Sequence, residues 1–508
     1  MKNSYDVVVV GTGNAALSAA LSASDNGAKK ILVIEKASKK ERGGNSRYTN
    51  GAFRFAYNGY SDLKKIIPTL KNSNSIDYGK YTVNDFLKDM QKVTNGKTDK
   101  SLSKILTGNS FETVQWLSQK GLKFTPIEGR QSFVVGGKMK YWGGLTLEVK
   151  GQGETLVDSL LKIVEKHKIK IQYDTAAVDL IYEDNTVVGV EVLNKNKMEK
   201  IYAKSVVLAC GGFESNPEMR TRYLGPGWDM AKVRGTKHNT GDGLNMAFKI
   251  GASAFGNWSG CHAVFHDLNG PEYSDLKISN KYRKISYPWG IVLNANGERF
   301  VDEGEDFRNY TYAKFGKEVI KQPNQLAWQI FDKKVRPMLY SEYDVKSATM
   351  VKANTLEELV KKLAGVNSQK ALETITEYNN SIDEKVKFDP TIKDGRCTKG
   401  LKINKTNWAN KIDKAPYYAY GVTCGITFTF GGLRINNKGQ VLNKVMKPIR
   451  GLYAAGEMVG GIFYFNYPGG SGLTSGAVFG KLAGKFGALI PAAQANSKAQ
   501  HIAHPHPR

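Results

Sequence analysis

The sequence is poor in cysteine, with four in 508 residues. The four are far apart and form no CxxC pair, so their spacing indicates neither a disulfide framework nor a cysteine-based zinc or iron–sulfur site. The chain also lacks a CxxCH motif, and a covalently attached c-type haem is therefore not expected. We predict no metal site, and a reducing compartment is the simplest interpretation of the cysteine content.

Long apolar segments are also absent. No uninterrupted apolar stretch is long enough to span a bilayer, and the chain passes from Met1 to an apolar run within a few residues, which leaves no room for a signal peptide. We expect a cytoplasmic protein that is not integral to a membrane. The final segment, HIAHPHPR, is typical of a disordered tail, and we extend this prediction to residues 491–508.

Acidic residues are outnumbered. Lys and Arg total 73 against 47 Asp and Glu, which gives a formal net charge of +26. Such a surface attracts anions of many kinds, including small carboxylates, acidic lipid and nucleic acid. The lysines are scattered without aromatic interleaving or a nucleic-acid-binding module, so nucleic acid is not an expected partner.

A glycine-rich turn follows the first apolar run. Residues 5–10, YDVVVV, lead directly into Gly11, Gly13 and Ala16, and small and apolar residues continue at helical spacing. A second apolar run ends at Glu35, 24 positions after Gly11. This order predicts a Rossmann βαβ unit, in which the turn and the helix N-terminus bind a pyrophosphate and the acidic residue binds ribose hydroxyls. A tight turn that serves packing alone is the alternative.

Further glycine-rich sites follow. Arg42-Gly43-Gly44-Asn45-Ser46 can lie against an isoalloxazine ring and its ribityl chain, a segment that a nicotinamide enzyme does not need. CGGF at 210–213, TGDG at 240–243 and GE at 456–457 add three more sites. Together they favour FAD as the cofactor. The residues predicted to bind it are Gly11, Gly13, Asn14, Ala15, Glu35, Lys36, Gly43, Gly44, Asn45, Ser46, Gly211, Gly212, Thr240, Asp242, Glu457, Ser471, Gly472 and Leu473.

The remaining pattern predicts two domains. The stretch 60–130 is helical and polar, and short alternating runs over 168–210 indicate strands of a sheet. The less periodic stretch 258–420 is interpreted as a capping domain inserted into the first domain, which is predicted to comprise residues 1–257 and 421–490. Within this second part, a final helix is expected from about Ser471.

Four long segments carry a resemblance to a known superfamily. They are ERGGNSRYTNGAFRFAY at 41–57, GERFVDEGEDFRNYTYAKFG at 297–316, TCGITFTFGG at 423–432 and GLYAAGEMVGGIFYFNYPGGSGLTSGAVFGKLAG at 451–484. From Tyr5 to about Lys485 the chain resembles the flavoprotein subunits of the fumarate reductase and succinate dehydrogenase superfamily. Within that superfamily it is most similar to the tricarballylate dehydrogenases.

The resemblance implies an α/β fold, with a Rossmann-type FAD-binding domain and an inserted α+β capping domain. It implies an FAD-dependent oxidoreductase that moves hydride between the flavin and a CH–CH bond of a small carboxylate. Some relatives attach FAD to a histidine before the flavin-contacting glycines; this chain has none between Lys36 and Tyr60, so FAD is expected to be noncovalent. The helix near Ser471 would direct its N-terminal amides at the flavin.

The same resemblance implies the site residues. In soluble fumarate reductases two histidines and two arginines hold a dicarboxylate, and one arginine is thought to move the proton. His262 falls at the place of the first histidine, and Arg308, with one residue of extra spacing, falls near the proton-moving arginine. Phe428 and Tyr467 occupy the other two places. The implied catalytic residues are His262, Arg308 and Tyr467, and Phe428 and Gly470 are the implied substrate contacts. Arg54 is an additional candidate for a substrate contact, with a structural role as the alternative.

The implied reaction is the oxidation of tricarballylate to cis-aconitate, and three alternatives stay open. They are an enoate or fumarate-type reductase that runs in reverse, a desaturase similar to 3-ketosteroid dehydrogenases, which share the segment Tyr467-Pro468-Gly469-Gly470, and a flavin-binding sensor. Arg308 favours a carboxylate because a guanidinium fork suits one. Arg47 and Arg130 are further candidates for substrate contacts, with structural roles as the alternative. Electrons are expected to pass through a separate electron-transfer protein or a quinone-linked partner.

Overall fold

The computed structural model of the protein describes residues 4–128, 131–141, 144 and 147–490. The predictions for Arg130 and for the tail of residues 491–508 lie outside these described residues. Within the described ranges, no helix combines the length and the apolar character needed to cross a membrane. The same ranges contain no group of three or more His, Cys, Asp or Glu side chains that could hold a metal ion.

Both helices and strands contribute to the described part of the chain. The helices are α1 (Asn14–Asp25), α2 (Tyr60–Ile66), α3 (Val83–Val93), α4 (Lys100–Gln119), α5 (Gln152–Lys166), α6 (Pro217–Leu224), α7 (Asp242–Lys249), α8 (Tyr312–Ile320), α9 (Leu356–Lys361), α10 (Ser368–Asn380) and α11 (Ser471–Ala488). The strands are β1 (Tyr5–Val10), β2 (Ile31–Ile34), β3 (Ala52–Phe53), β4 (Ile76–Asp77), β5 (Phe124–Pro126), β6 (Ser132–Val135), β7 (Lys138–Tyr141), β8 (Leu147–Val149), β9 (Lys170–Gln172), β10 (Thr175–Glu183), β11 (Thr186–Asn194), β12 (Lys197–Leu208), β13 (Lys232–Val233), β14 (Ala254–Asp267), β15 (Ile291–Asn294), β16 (Ala327–Phe331), β17 (Met350–Ala353), β18 (Tyr417–Leu433), β19 (Gln440–Leu442) and β20 (Pro448–Ala454).

The largest sheet contains the predicted βαβ unit. Its strand order is β10-β11-β20-β12-β1-β2-β9, with β19 paired to β20. β1 runs parallel to both β2 and β12, and its residues Val7, Val8 and Val9 are fully buried, as is typical of an internal strand of a parallel sheet. The predicted α/β fold with a Rossmann-type unit is confirmed.

Helix α11 lies directly against α1. An added Cβ at Gly480 or Gly484 would collide with the carbonyl oxygen of Ala15 or Ala19 on α1, so glycine at these positions permits backbone contact between the two helices. The two glycines are four residues apart and therefore share one face of α11. This packing places the N-terminus of α11 beside the N-terminus of α1.

The second large sheet is built around the long strand β18. Its order is β13-β18-β16-β15, and β14 and β17 also pair with β18. In this register Val233 of β13 lies beside Ile426, and His262 of β14 lies beside Phe428. The predicted domain boundaries, 257/258 and 420/421, fall inside β14 and β18, which pair with each other. The division into residues 1–257 with 421–490 and 258–420 therefore stays a proposal.

Candidate active site

A long cleft joins the β1–α1 turn to the surface of β18. The predicted cofactor-binding residues in its lining are Gly11, Gly13, Asn14, Ala15, Glu35, Lys36, Gly44, Asn45, Ser46, Gly211, Thr240, Asp242, Glu457, Gly472 and Leu473. The predicted residues that lie next to the lining in sequence are Gly43, Gly212 and Ser471. Arg308, Phe428, Tyr467 and Gly470 also line the cleft, so the structure gathers residues that are hundreds of positions apart.

The β1–α1 turn is shaped for close approach of a ligand. Gly11 has φ +108°, and an added Cβ would lie 2.6 Å from the carbonyl oxygen of Ala209, so a side chain does not fit there. Gly13 is the N-cap of α1, and no side chain caps the helix. The N–H of Asn14 donates to Ser46 Oγ, and the N–H groups that follow it in the first turn of α1 are placed to bind an anion, which fits the pyrophosphate of FAD.

Glu35 carries an acceptor group into the same end of the cleft. Its Oε2 accepts hydrogen bonds from the backbone N–H of Thr12 at 3.0 Å and from the Thr12 hydroxyl. Its Oε1 accepts from the backbone N–H of Ala37 at 2.8 Å. These bonds fix the carboxylate, whose remaining lone pairs suit ribose hydroxyls.

Three hydrogen bonds connect separate segments around this end of the cleft. Lys36 Nζ donates to the Thr240 hydroxyl at 2.5 Å and to Asp242 Oδ2 at 2.7 Å. The backbone N–H of Asn14 donates to Ser46 Oγ at 2.9 Å. All five residues come from the predicted cofactor set, and these contacts bring four separate segments of the chain together.

Two carboxylates meet beside the cleft: Glu214 is fully buried, and the partly buried Glu457 belongs to the cleft lining. Glu214 Oε1 accepts hydrogen bonds of 2.6 Å from the side-chain amides of Asn45 and Asn239, and Glu457 Oε1 accepts from the backbone N–H of Thr429 at 2.7 Å. Burial, together with the adjacent Glu457, raises the pKa of Glu214 well above its usual range. The pair therefore keeps a proton up to a higher pH than two separate glutamates would.

Arg54 holds the turn that precedes α11. Its side chain is fully buried, its Nε donates to the Gly469 carbonyl at 2.8 Å, and its backbone N–H donates to the Gly470 carbonyl at 3.2 Å. Nη1 pairs with Asp89 at 3.0 Å, and the Thr474 hydroxyl donates to the Arg54 carbonyl at 2.7 Å. Arg54 lies behind the lining of the cleft, which favours the structural alternative over direct substrate contact.

An aromatic cluster surrounds His262. The hydroxyls of Tyr312 and Tyr467 share a hydrogen bond of 2.5 Å, and the His262 ring lies edge-on to both rings and stacks on Phe428 at 5.2 Å. His262 is fully buried, and neither ring nitrogen has a hydrogen-bond partner among the described residues. Burial and the charge of Arg234 lower the pKa of His262 well below its usual value, so the ring is neutral.

Three arginines line this end of the cleft, namely Arg234, Arg283 and Arg308. Arg283 is neutralised by Glu342, to which its Nε donates at 2.8 Å. Over the described ranges, neither Arg234 nor Arg308 forms an ion pair with a carboxylate, and the Arg308 guanidinium lies 4.9 Å from the centre of the Tyr340 ring. The cluster therefore leaves positive charge facing the cleft, which suits an anionic substrate.

Several residues of the site were not predicted. Tyr312 follows Arg308 by four positions in the quoted segment, and a search of that segment for hydroxyls could have found it. Arg234 belongs to no motif, and only the folded register brings it to the cleft. Glu214 directly follows the CGGF segment and contacts the cleft lining through Asn45 and Asn239. Arg47, a further candidate, pairs instead with Glu154 at 3.1 Å, which favours a structural role.

Comparison with known families agrees with this geometry. The family described as "FAD binding domain" matches residues 6–473. A probable fumarate reductase of Shewanella frigidimarina is 30% identical over 483 residues, which cover 94% of this chain and 74% of the relative.

Two solved structures are also similar. The open conformation of a flavocytochrome c3 fumarate reductase superposes with a TM-score of 0.70 at 27% identity, over 96% of this chain and 78% of the other. A 3-ketosteroid delta1-dehydrogenase from Sterolibacterium denitrificans superposes with a TM-score of 0.74 at 23% identity, over 96% and 100% of the chains, and this likeness shows the fold alone.

Proposed function

Since this chain belongs to the FAD binding domain family and is an FAD-dependent oxidoreductase that acts on CH–CH bonds, we propose that it interconverts the saturated and α,β-unsaturated forms of a small carboxylate. The observation that carries this proposal is Arg308, which lines the cleft near Tyr312 and has no carboxylate partner among the described residues. An arginine fork binds a carboxylate through two parallel hydrogen bonds. Tricarballylate and cis-aconitate belong to this class.

The chain's own residues would hold the cofactor at two ends. Gly11 and Gly13 would admit its pyrophosphate, Glu35 would bind its ribose, and the N-terminus of α11, at Ser471 and Gly472, would face the ring system. FAD in this site would supply hydride transfer, and it is proposed to be noncovalent. Substrate binding and proton transfer are then assigned to the side chains around Arg308 and Tyr467, which line the same cleft.

We assign proton transfer to Tyr467. Burial, together with the adjacent Tyr312, raises the pKa of Tyr467 well above its usual value, so the hydroxyl is protonated at neutral pH and can donate to a carbon that becomes saturated. Tyr312 shares a hydrogen bond with it and can return a proton. His262 packs against both rings and would fix their orientation.

Arg308 is assigned to carboxylate binding. Although burial acts against its charge, the surrounding tyrosines, led by Tyr340, raise the pKa of Arg308. The guanidinium therefore stays protonated, which makes it a strong hydrogen-bond donor and a poor base. In this arrangement Arg308 orients the substrate, and the protonated Tyr467 delivers the proton when the double bond is reduced.

Anaerobic flavin spectroscopy tests the proposal. The oxidised holoenzyme is mixed in turn with tricarballylate, succinate and propionate, and the dithionite-reduced enzyme with cis-aconitate, fumarate and acrylate. Bleaching by one of the saturated acids, or reoxidation by one of the unsaturated acids, supports the proposal. A flavin that responds to none of these acids contradicts it.

The tyrosine pair favours a second candidate function, desaturation of a 3-ketosteroid. A hydroxyl supported by a second hydroxyl can donate to a ketone oxygen, and Phe428 and Phe463 add apolar surface to this end of the cleft. A 3-ketosteroid is therefore included in the same anaerobic experiment. Bleaching by the steroid alone would favour this candidate and contradict the carboxylate.

The electron partner is proposed to be a separate electron-transfer protein or a quinone-linked protein. The net charge of +26 suits docking of an acidic partner. Association of this kind weakens as salt screens the charges. Reoxidation of the reduced enzyme by a candidate partner protein should therefore slow as ionic strength rises, whereas reoxidation by a neutral quinone should not.

A further inference from the structure

Arg234 brings an uncompensated charge to the substrate end of the cleft. It follows β13, and its backbone N–H donates to the Ile426 carbonyl of β18 at 2.7 Å. The residue is 6% exposed and lines the cleft. Its Nε donates to the Thr427 hydroxyl at 2.8 Å, and its Nη1 donates to the Asn280 side-chain carbonyl. Both acceptors are neutral, so they orient the guanidinium without balancing its charge.

The other buried arginines are satisfied differently. Those with a carboxylate partner are Arg47, Arg54, Arg283 and Arg299. Arg220 has none, but it donates to three backbone carbonyls and does not line the cleft. Over the part of the chain that the structure describes, Arg234 combines burial, contact with the cleft and the absence of an ion pair.

The surroundings of Arg234 also point to a bound anion. Burial and the charge of Arg283 lower the pKa of Arg234 to about 10, so the guanidinium is still charged at neutral pH. A buried charge without a counter-ion is costly, and a carboxylate in the cleft would remove that cost. The Nη2 group makes no hydrogen bond to another described residue, and it can donate to such a ligand.

We propose that Arg234 binds a second carboxylate of the substrate, while Arg308 binds the first. Arg234 is then the residue that selects a dicarboxylate, or a tricarboxylate such as tricarballylate, over a monocarboxylate. Thr427 and Asn280 hold its guanidinium plane in place, which limits the entropy lost on binding. This inference rests on the proposed function, because it takes the substrate to be a carboxylate.

The experiment compares succinate with its monomethyl ester, which has one carboxylate fewer on the same skeleton. Binding is measured from the change in the absorption spectrum of the oxidised holoenzyme. The wild type should bind succinate about 30-fold more tightly than the ester, or better, since truncation of one partner in a buried charge pair costs at least this factor. Arg234→Gln should lose the preference and bind the ester as the wild type does.

A merely structural role for Arg234 predicts another result. In that case Arg234→Gln would lower the affinity for succinate and for the ester by the same factor. The preference for succinate would stay intact, which would overturn the inference. Arg222→Gln is the matched control, because Arg222 is exposed and pairs with Glu218 on the surface, and both affinities should stay unchanged. Arg234→Lys retains the charge without the fork and should give an intermediate preference, and it replaces the Gln variant if that variant fails to fold.

The outcomes separate this inference from the proposed function. Loss of the preference in Arg234→Gln, with no acid able to change the redox state of the flavin, supports the inference and contradicts the function. If the enzyme turns over a carboxylate but Arg234→Gln keeps the preference for succinate over the ester, the function is supported and the inference is contradicted. A wild-type holoenzyme that shows neither a spectral change nor a thermal shift with succinate or tricarballylate overturns the inference.

Discussion

Gln131 and Asn309 exchange two amide hydrogen bonds inside the molecule. Gln131 Nε2 donates to Asn309 Oδ1 at 3.1 Å, and Asn309 Nδ2 donates to Gln131 Oε1 at 2.8 Å. Both residues are 1% exposed. Asn309 directly follows Arg308, and its backbone carbonyl accepts a hydrogen bond of 3.2 Å from the Gly469 N–H. The pair therefore links the segment before β6 to Arg308 and to the turn before α11.

Replacement of Gln131 by Met should disturb this link without a large change in volume. The Asn309 amide would be left buried and unpaired, which costs about 1–3 kcal/mol. We expect a lower unfolding midpoint in urea, together with reduced turnover because Arg308 is less well positioned. Gln369→Ala is the control, since the Gln369 amide bonds Glu373 at the surface and its loss should cost less than about 0.5 kcal/mol. Equal effects of the two changes would contradict a positioning role.

Tyr467→Phe should retain flavin and lose most of the turnover. The change removes one hydroxyl from the buried pair with Tyr312, and loss of a proton carrier typically costs about 100-fold or more in rate. Tyr312→Phe should reduce turnover less, because the Tyr467 hydroxyl remains. Steady-state kcat, with the flavin spectrum as the check on folding, measures both effects. Wild-type rates in both variants would exclude the pair from proton transfer.

Arg54→Gln distinguishes a positioning role from substrate contact. The change breaks a buried ion pair with Asp89 and removes the bond to the Gly469 carbonyl, so we expect a loss of about 3 kcal/mol in stability and weaker flavin retention. KM of the remaining holoenzyme should change little. A rise in KM with normal thermal stability would instead restore Arg54 as a substrate ligand.

The sequence predicted those parts of the site that local geometry determines. Gly11 and Gly13 could be placed because a βαβ turn needs glycine at a fixed distance from a strand and a helix. The sequence could not distinguish a structural role for Arg54 from substrate binding. Its fully buried position behind the Gly469–Gly470 turn depends on contacts more than 400 positions away. No sequence motif marked Arg234 as a site residue, because its environment is created by the pairing of β13 with β18.

The fully buried Glu214, which lies next to Glu457, should give a pH-dependent stability. The folded pKa of Glu214 is raised above the ordinary 4.5, so its contribution is complete below that value and is lost as pH rises through the folded pKa. Glu214→Gln cannot ionise, and its stability relative to the wild type should therefore increase as pH rises. Urea unfolding at pH 5 and pH 8 measures this, with the exposed Glu183→Gln as the control. Parallel pH profiles for wild type and Glu214→Gln would contradict the prediction.

The contact between α1 and α11 offers a prediction in which the same substitution should have opposite effects at two helical positions. Gly480→Ala introduces a Cβ that collides with the Ala15 carbonyl, so the two helices must separate, and the N-terminus of α11 moves away from the β1–α1 turn. Overpacking of this kind costs about 1–3 kcal/mol, and flavin affinity should fall with it.

Gly108→Ala is the matched control, because Gly108 is an exposed residue of α4 with no atom within 4 Å of an added Cβ. There alanine should raise stability by up to about 1 kcal/mol, since it favours the helix more than glycine does. Thermal unfolding and flavin titration of the two variants measure the difference. A Gly480→Ala protein that is as stable as Gly108→Ala would show that α1 and α11 do not need backbone contact to form the cofactor end of the cleft.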